Sequence, residues 1–192
     1  MQKQTLQQIF SEIGNHTGVD IGCNDKDGIH TYLETYDKLF EPFRDGCDFL
    51  EIGLASGDSI KLWDCYFQTS SIVGVDLSII FEKEERVSDN VIRLISADAT
   101  KPGIVEILDK ECWKDCKFNV IIDDADHQTL SQITTFNLLK HKMKSDGLYI
   151  LEDILALDIE REKYLALHPH CEIIDMRHTG RFDNVLIIYT NF

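Results

Sequence analysis

Asp48-Phe-Leu-Glu-Ile-Gly-Leu-Ala-Ser-Gly-Asp-Ser59 is the stretch whose reading decides the fold. An apolar run of strand length, DFLEI, breaks at Gly53 and Gly57, and Ile60, Leu62, Trp63 and Phe67 then recur at helical spacing. Glycines let a backbone turn tightly and approach a ligand, while the N-terminus of the next helix offers free N–H groups and a positive dipole end to an anion. The spacing is Gly-x-x-x-Gly, without the Gly-x-Gly-x-x-Gly of dinucleotide folds. This disfavours a nicotinamide dehydrogenase, and an ordinary strand-to-helix turn is the competing reading of the loop.

Working outward, apolar runs of the same length recur at 71–76 (SIVGVD), 91–96 (VIRLIS), 118–123 (FNVIID) and 147–151 (GLYIL), separated by segments able to form helices. Such alternation signals a parallel sheet covered on both faces. The ending differs: Cys171 to Met176 and Asn184 to Tyr189 are joined by the short polar loop His178 to Asp183, which reads as an antiparallel hairpin. Upstream, Leu6, Ile9, Phe10 and Ile13 predict a helix over 4–13, Asn15 to His30 a glycine- and aspartate-rich loop, and Leu33, Tyr36, Leu39 and Phe40 one face of a helix over 32–43. The expected class is α/β: a mostly parallel seven-stranded sheet with a C-terminal antiparallel hairpin over 47–192, preceded by an N-terminal helical extension and covering loop over 1–46.

The 192 residues and 43% hydrophobic content suit one domain. A net charge of −15, from 34 acids against 19 Lys and Arg, argues against binding nucleic acid through its phosphates. No run approaches the ~18 apolar residues of a membrane span, and Met1-Gln-Lys-Gln-Thr-Leu6 lacks the apolar core of a secretory signal. The expectation is a cytoplasmic protein with no membrane partner. Cys23, Cys47, Cys65, Cys112, Cys116 and Cys171 form no Cys-x-x-Cys pair and read as reduced thiols, several of them packed in apolar segments. Cys112 and Cys116 lack the second ligand pair that a shared metal needs.

In open α/β sheets ligands sit at the carboxyl ends of the strands. Asp76 ends the second run and follows Gly53 by 23 positions, where a carboxylate can hold a ribose diol. Asp98 lies at the same edge, with capping of the helix beginning near Pro102 as its alternative role. The fourth run ends in Asp123-Asp124-Ala-Asp126-His127 and the fifth in Leu151-Glu152-Asp153. Adjacent parallel strands would bring these carboxylates together. Hard oxygen ligands in such a cluster suit Mg²⁺; a solvated turn is the competing reading.

Glu51-x-Gly53-x-x-x-Gly57, Asp76, Asp98 and the closing hairpin resemble the class I S-adenosylmethionine-dependent methyltransferases over residues 47–190. The resemblance implies that Glu51 and the loop Gly53 to Ser59 accommodate the methionine part of the cofactor, Asp76 its ribose and Asp98 its adenine, with Asp123 near its ammonium group. Asp58 stands where relatives often have glycine, and is expected to face solvent. Asp123-Asp124-Ala-Asp126-His127 followed by Glu152-Asp153 further resembles the metal-dependent sugar O-methyltransferases of the macrolide-tailoring and rhamnosyl type, whose run is Asp-Asp-Gly-Ser-His with a later Glu-Asp. The segment from Asp25 to Pro42 is similar as well.

That narrower resemblance implies Mg²⁺ on Asp124, Glu152 and Asp153, His127 as general base, and a sugar or small-molecule acceptor. It also implies that His30, Tyr32 and Tyr36 close over the cofactor, with packing on a helix face as their alternative role. Ala125 and Asp126 depart from the pattern, and Asp126 adds charge beside the expected ion. An extra N-terminal domain found in some macrolide-sugar enzymes is not expected. His168 and His170, as a weak metal-binding surface, and Arg177, His178 and Arg181, as a phosphate contact, are weighed against plain loop roles. The rival readings are methylation of a catechol or other small diol, and a cofactor-binding interaction protein without catalysis. The acceptor's identity and the oligomeric state, a homo-oligomer included, stay open.

Overall fold

Seven strands form where the seven apolar runs lie. A computed structural model describes residues 3–17, 31–80 and 88–192. Its elements are α1 (Leu6–Thr17), α2 (Leu33–Phe40), β1 (Asp48–Ile52), α3 (Asp58–Tyr66), β2 (Ser71–Asp76), β3 (Val91–Ser96), α4 (Ile104–Glu111), β4 (Phe118–Asp123), α5 (Thr129–Leu139), β5 (Met143–Leu151), α6 (Leu157–Leu165), β6 (Cys171–Asp175) and β7 (Val185–Tyr189). The expected loop over 15–30 and His30 fall outside the described residues, apart from the end of α1. Among the described residues no helix is long and apolar enough to cross a membrane.

The sheet order is β3-β2-β1-β4-β5-β7-β6. Strands β1 to β5 pair in parallel, while β7 runs antiparallel to both β5 and β6. The C-terminal hairpin therefore inserts its second strand beside β5 and leaves β6 at the edge. Strand β5 starts four residues earlier than its apolar run, at Met143. Its first half carries Lys144, Ser145 and Asp146, which hide it from a hydrophobicity reading, and its register against β4 shifts between Phe118 and Val120.

Alternate side chains along each strand feed two separate cores. On one face Leu50, Ile52 and Ile121 pack with Ile104 and Leu108 of α4, Phe136 and Leu139 of α5, and Tyr164 of α6. On the other, Phe49, Val120 and Ile122 pack with Leu6 and Ile9 of α1, Tyr36 and Phe40 of α2, and Trp63 of α3. The N-terminal extension thus belongs to the same core as the sheet. An aromatic cluster centres that face: Phe40 meets Trp63 edge-on at 5.7 Å between ring centroids, and Phe49 lies 5.3 Å from Trp63. Such contacts add ~0.5–1.5 kcal/mol each beyond area burial.

Backbone bonds continue past the strands and level their carboxyl ends. The Gly53 N–H donates to the Val75 carbonyl at 2.9 Å, Asp124 N–H to Ile52 at 2.8 Å, Glu152 N–H to Asp123 at 3.0 Å and Ala97 N–H to Asp76 at 2.8 Å. Gly53 has φ +86°, and a Cβ there would overlap the Asp124 carbonyl and come within 2.7 Å of the Ala125 Cα. Left-handed backbone alone costs a residue with a Cβ ~1–2 kcal/mol, and here the neighbour is backbone and cannot rotate away. Gly53→Ala is expected to lower the melting temperature by roughly 6–12 °C, taking ~3 kcal/mol and ~2–4 °C per kcal/mol at this size. Gly103→Ala, in helical backbone (φ −64°) with nothing within 4 Å of the added carbon, should change it little; equal shifts in the two variants would contradict this account.

Candidate active site

Chain reversal of strand order occurs at β1 and β4: β2 and β3 lie to one side, β4 and β5 to the other. The loops leaving β1 and β4 diverge there, and a cavity of about 500 Å³ opens between them. Its wall includes Gly53 to Ser56, Asp58 and Ser59 from the first loop, Asp76 and Asp98 at one end, and Asp123 to His127 at the other.

The first loop is tied down by its own acids. Glu51, fully buried, accepts hydrogen bonds from Ser59 Oγ at 2.7 Å and Trp63 Nε1 at 3.1 Å. It braces the start of α3 from below and does not line the cavity, and neither does Gly57, whose φ of +82° closes the turn. Ser59 does line it. Asp58 is also on the wall, against the expectation that it faces solvent: its carboxylate accepts the Ser56 hydroxyl at 2.7 Å and lies 3.4 Å from Lys61 Nζ. An acid in the first turn complements the helix dipole, which gives a local reason for aspartate where glycine was the family expectation.

Asp76 accepts the Leu54 N–H at 2.8 Å through Oδ2 and the Ser78 N–H at 3.0 Å through Oδ1. It joins the first loop to the end of β2 while remaining on the cavity wall. Asp98 accepts both the N–H and the hydroxyl of Thr100, at 2.9 and 2.6 Å, which with the nearby Lys101 holds its carboxyl below the usual range. It turns the chain ahead of α4 and also lines the cavity. Thr100, Ser131 and Thr135 line it too; nothing in their spacing along the chain marks them.

At the other end the acidic ends of β4 and β5 meet. Asp124, His127 and Asp153 each offer an atom within 4.8 Å of the others, the one group among the described residues arranged to hold a metal ion. His127 Nε2 lies 3.9 Å from Asp153 Oδ2. His127 and Asp153 both adopt left-handed backbone, φ +56° and +54°. Each such conformation costs ~1–2 kcal/mol at a residue with a Cβ, and strain of this kind gathers at functional sites. Two carboxylates supply hard oxygen donors of the type that Mg²⁺ takes. The set differs from the sequence expectation in that His127 joins it and Glu152 does not: Glu152 is buried, with Oε1 accepting the Tyr36 hydroxyl at 2.6 Å and its carbonyl the Gln132 amide at 2.9 Å.

Tyr32 donates to Asp153 Oδ1 at 2.6 Å. Both tyrosines are fully buried and lie off the cavity wall, so they stand behind the acids and not over the cavity as expected. Asp126 turns back onto α5, accepting the Gln128 N–H at 3.1 Å and the Ser131 hydroxyl at 2.7 Å. The other candidates fall away. His168 packs against Phe192 at 4.7 Å and accepts the His170 N–H. Arg177 is held by Asp175 and Asp158, and Arg181 by Asp183.

Asp123 is 2% exposed, and its Oδ2 has no hydrogen-bond partner among the described residues. Burial, with Asp124 and Asp126 adding like charge, pushes its carboxyl up to about 8 against one bond from the Ala125 N–H. A folded-state value above the unfolded one means that the native chain binds the extra proton, so stability should fall as pH rises from about 4 toward 8 and level off above. Asp123→Asn should flatten that slope in thermal melts of the ligand-free protein between pH 5 and 9; an unchanged slope would remove Asp123 as its source.

No protein-family model matches the chain. It is 30% identical over 139 residues, 68% of its length and 35% of the relative's, to 8-demethyl-8-alpha-L-rhamnosyl tetracenomycin-C 2'-O-methyltransferase of Streptomyces olivaceus. It is 31% identical over 134 residues, 66% of its length and 33% of the relative's, to L-olivosyl-oleandolide 3-O-methyltransferase of Streptomyces antibioticus. The chain spans about a third of the length of these curated relatives. Among solved structures, the MycE methyltransferase from the mycinamycin biosynthetic pathway, in complex with Mg and SAH, superposes with a TM-score of 0.72 at 20% identity, covering 98% of this chain and 55% of that one. The chain has the class I methyltransferase fold and is similar in sequence to sugar O-methyltransferases of macrolide and tetracenomycin tailoring.

Proposed function

We propose that this chain is an S-adenosylmethionine-dependent O-methyltransferase that methylates a hydroxyl of a sugar or glycosylated small molecule with the help of a divalent cation, expected to be Mg²⁺. The observation that carries the reading is the meeting of Asp124 and His127, on the wall of a cavity whose other end presents Asp76 and Asp98, with the buried Asp153. The relatives' sugar acceptors support the substrate class. The fold supports the placement of the cofactor along the first loop.

In this reading Asp76 takes the ribose hydroxyls, Asp98 and Thr100 the adenine end, and Gly53 to Ser59 the methionine end, with Asp123 beside the ammonium group. Asp124 and Asp153 would hold the cation, with Glu152 buried beside Asp153 and outside the grouped atoms, and His127 kept for the proton. When bound, such an ion stabilises negative charge developing on an acceptor oxygen. An alcohol is a poor nucleophile while it keeps its proton, and His127 supplies the acceptor for it. Its Nε2 faces Asp153 at 3.9 Å, while Nδ1 is buried with no hydrogen-bond partner among the described residues. The acceptor oxygen forms a bond to the methyl carbon as the carbon–sulfur bond breaks, leaving S-adenosylhomocysteine.

Calorimetric titration with S-adenosylhomocysteine and then Mg²⁺ tests the binding half. Wild type should bind both, Asp124→Asn should lose the Mg²⁺ step and keep the first ligand, and Asp76→Asn should weaken the first ligand by about tenfold or more. Turnover on a panel of sugar diols and catechols tests the rest: His127→Ala is expected to lower kcat by about 10²–10⁴-fold with ligand affinity kept. Turnover confined to catechols would move the acceptor class, and binding without turnover across the panel would favour an interaction protein.

A further inference from the structure

Two phenols of the N-terminal extension reach the two acids that end β5. We propose that Tyr32 and Tyr36 are positioning residues, Tyr32 fixing which oxygen of Asp153 faces the cation and Tyr36 holding Glu152 in place beside it, making α2 a working part of the metal site. The inference rests on the cation reading above.

The geometry is specific to the hydroxyls. Tyr32 donates to Asp153 Oδ1 and Tyr36 to Glu152 Oε1, each at 2.6 Å, so residues four apart on one helical face hold consecutive acids. Oδ1 of Asp153 is engaged by Tyr32, and Oδ2 is the atom 3.9 Å from His127 Nε2. Glu152 is held from two sides, by Tyr36 on its carboxylate and by Gln132 on its carbonyl.

Packing alone does not call for these hydroxyls. Tyr32, Tyr36 and Phe40 form one buried stripe at four-residue spacing, Tyr36 stacking on Phe40 at 4.9 Å. The stripe carries hydroxyls at the two positions that reach an acid, and phenylalanine at the third. A buried hydroxyl is costly unless hydrogen-bonded, so a core-filling role would be served as well by phenylalanine throughout. Partners of this kind, one shell behind metal ligands, typically change affinity by about 10–100-fold when removed.

The test is Mn²⁺ affinity of the full chain, read from the electron paramagnetic resonance signal of the free ion, for wild type, Tyr32→Phe, Tyr36→Phe, Phe40→Leu and Asp153→Asn. The proposal expects the Tyr→Phe variants to bind Mn²⁺ about 10–100-fold more weakly, and Phe40→Leu to melt earlier with affinity kept. Should Tyr36→Phe fail to fold, Tyr32→Phe decides alone. Wild-type affinity in the tyrosine variants, with loss in Asp153→Asn, would overturn the positioning role and leave the cation reading standing. Absence of Mn²⁺ binding to wild type would remove both.

Discussion

The contact between Gly53 and the backbone of Asp124 is the constraint on which the site depends. It lets the loops after β1 and β4 part at the point where strand order reverses, with the Asp124 N–H still bonded to Ile52. A side chain at 53 would push β4's acidic end away from the first loop, and the two ends of the cavity would lose their common edge. The same levelling of strand ends carries Glu152 and Asp153 up beside Asp123.

Bringing those acids together has an electrostatic cost that the rest of the fold partly offsets. The chain already carries a net charge of −15, and Asp123, Glu152 and Asp153 are all under 5% exposed. Neutral donors cover some of the charge: Tyr32, Tyr36 and the Ala125 N–H each give a bond to one of these carboxylates. Asp123 is instead held protonated toward neutral pH by burial. A buried anion cluster of this density is stabilised by a counter-charge, which the proposed divalent cation at Asp124 and Asp153 would supply.

Much of this was legible in the chain itself. The runs at 48–52, 71–76, 91–96 and 118–123 became strands with those bounds; for β1, β2 and β4 burial on both faces writes the strand directly into composition, while β3, at the sheet edge, is only partly buried. The strand order was not legible, since pairing depends on which crossovers pack against which face, and β7's insertion between β5 and β6 leaves no local mark. At the site, the acidic run and the Glu152-Asp153 pair pointed to the carboxyl edge of the sheet, where Asp124, His127 and Asp153 lie close together. What they could not show was which oxygens are already engaged. Glu51 braces α3, Asp126 turns onto α5, and Glu152 is held by Tyr36, all through hydrogen bonds to residues distant in sequence or hidden in helix geometry. The tyrosines four apart on α2 were the one available signal for the last of these.

A crystal grown with S-adenosylhomocysteine and Mn²⁺ and measured at the manganese edge would locate the cation. One anomalous peak is expected, coordinated by carboxylate oxygens of Asp124 and Asp153, with the ribose of the nucleoside against Asp76. A nucleoside bound there with no peak at those acids, or a peak elsewhere on the acidic surface, would contradict it.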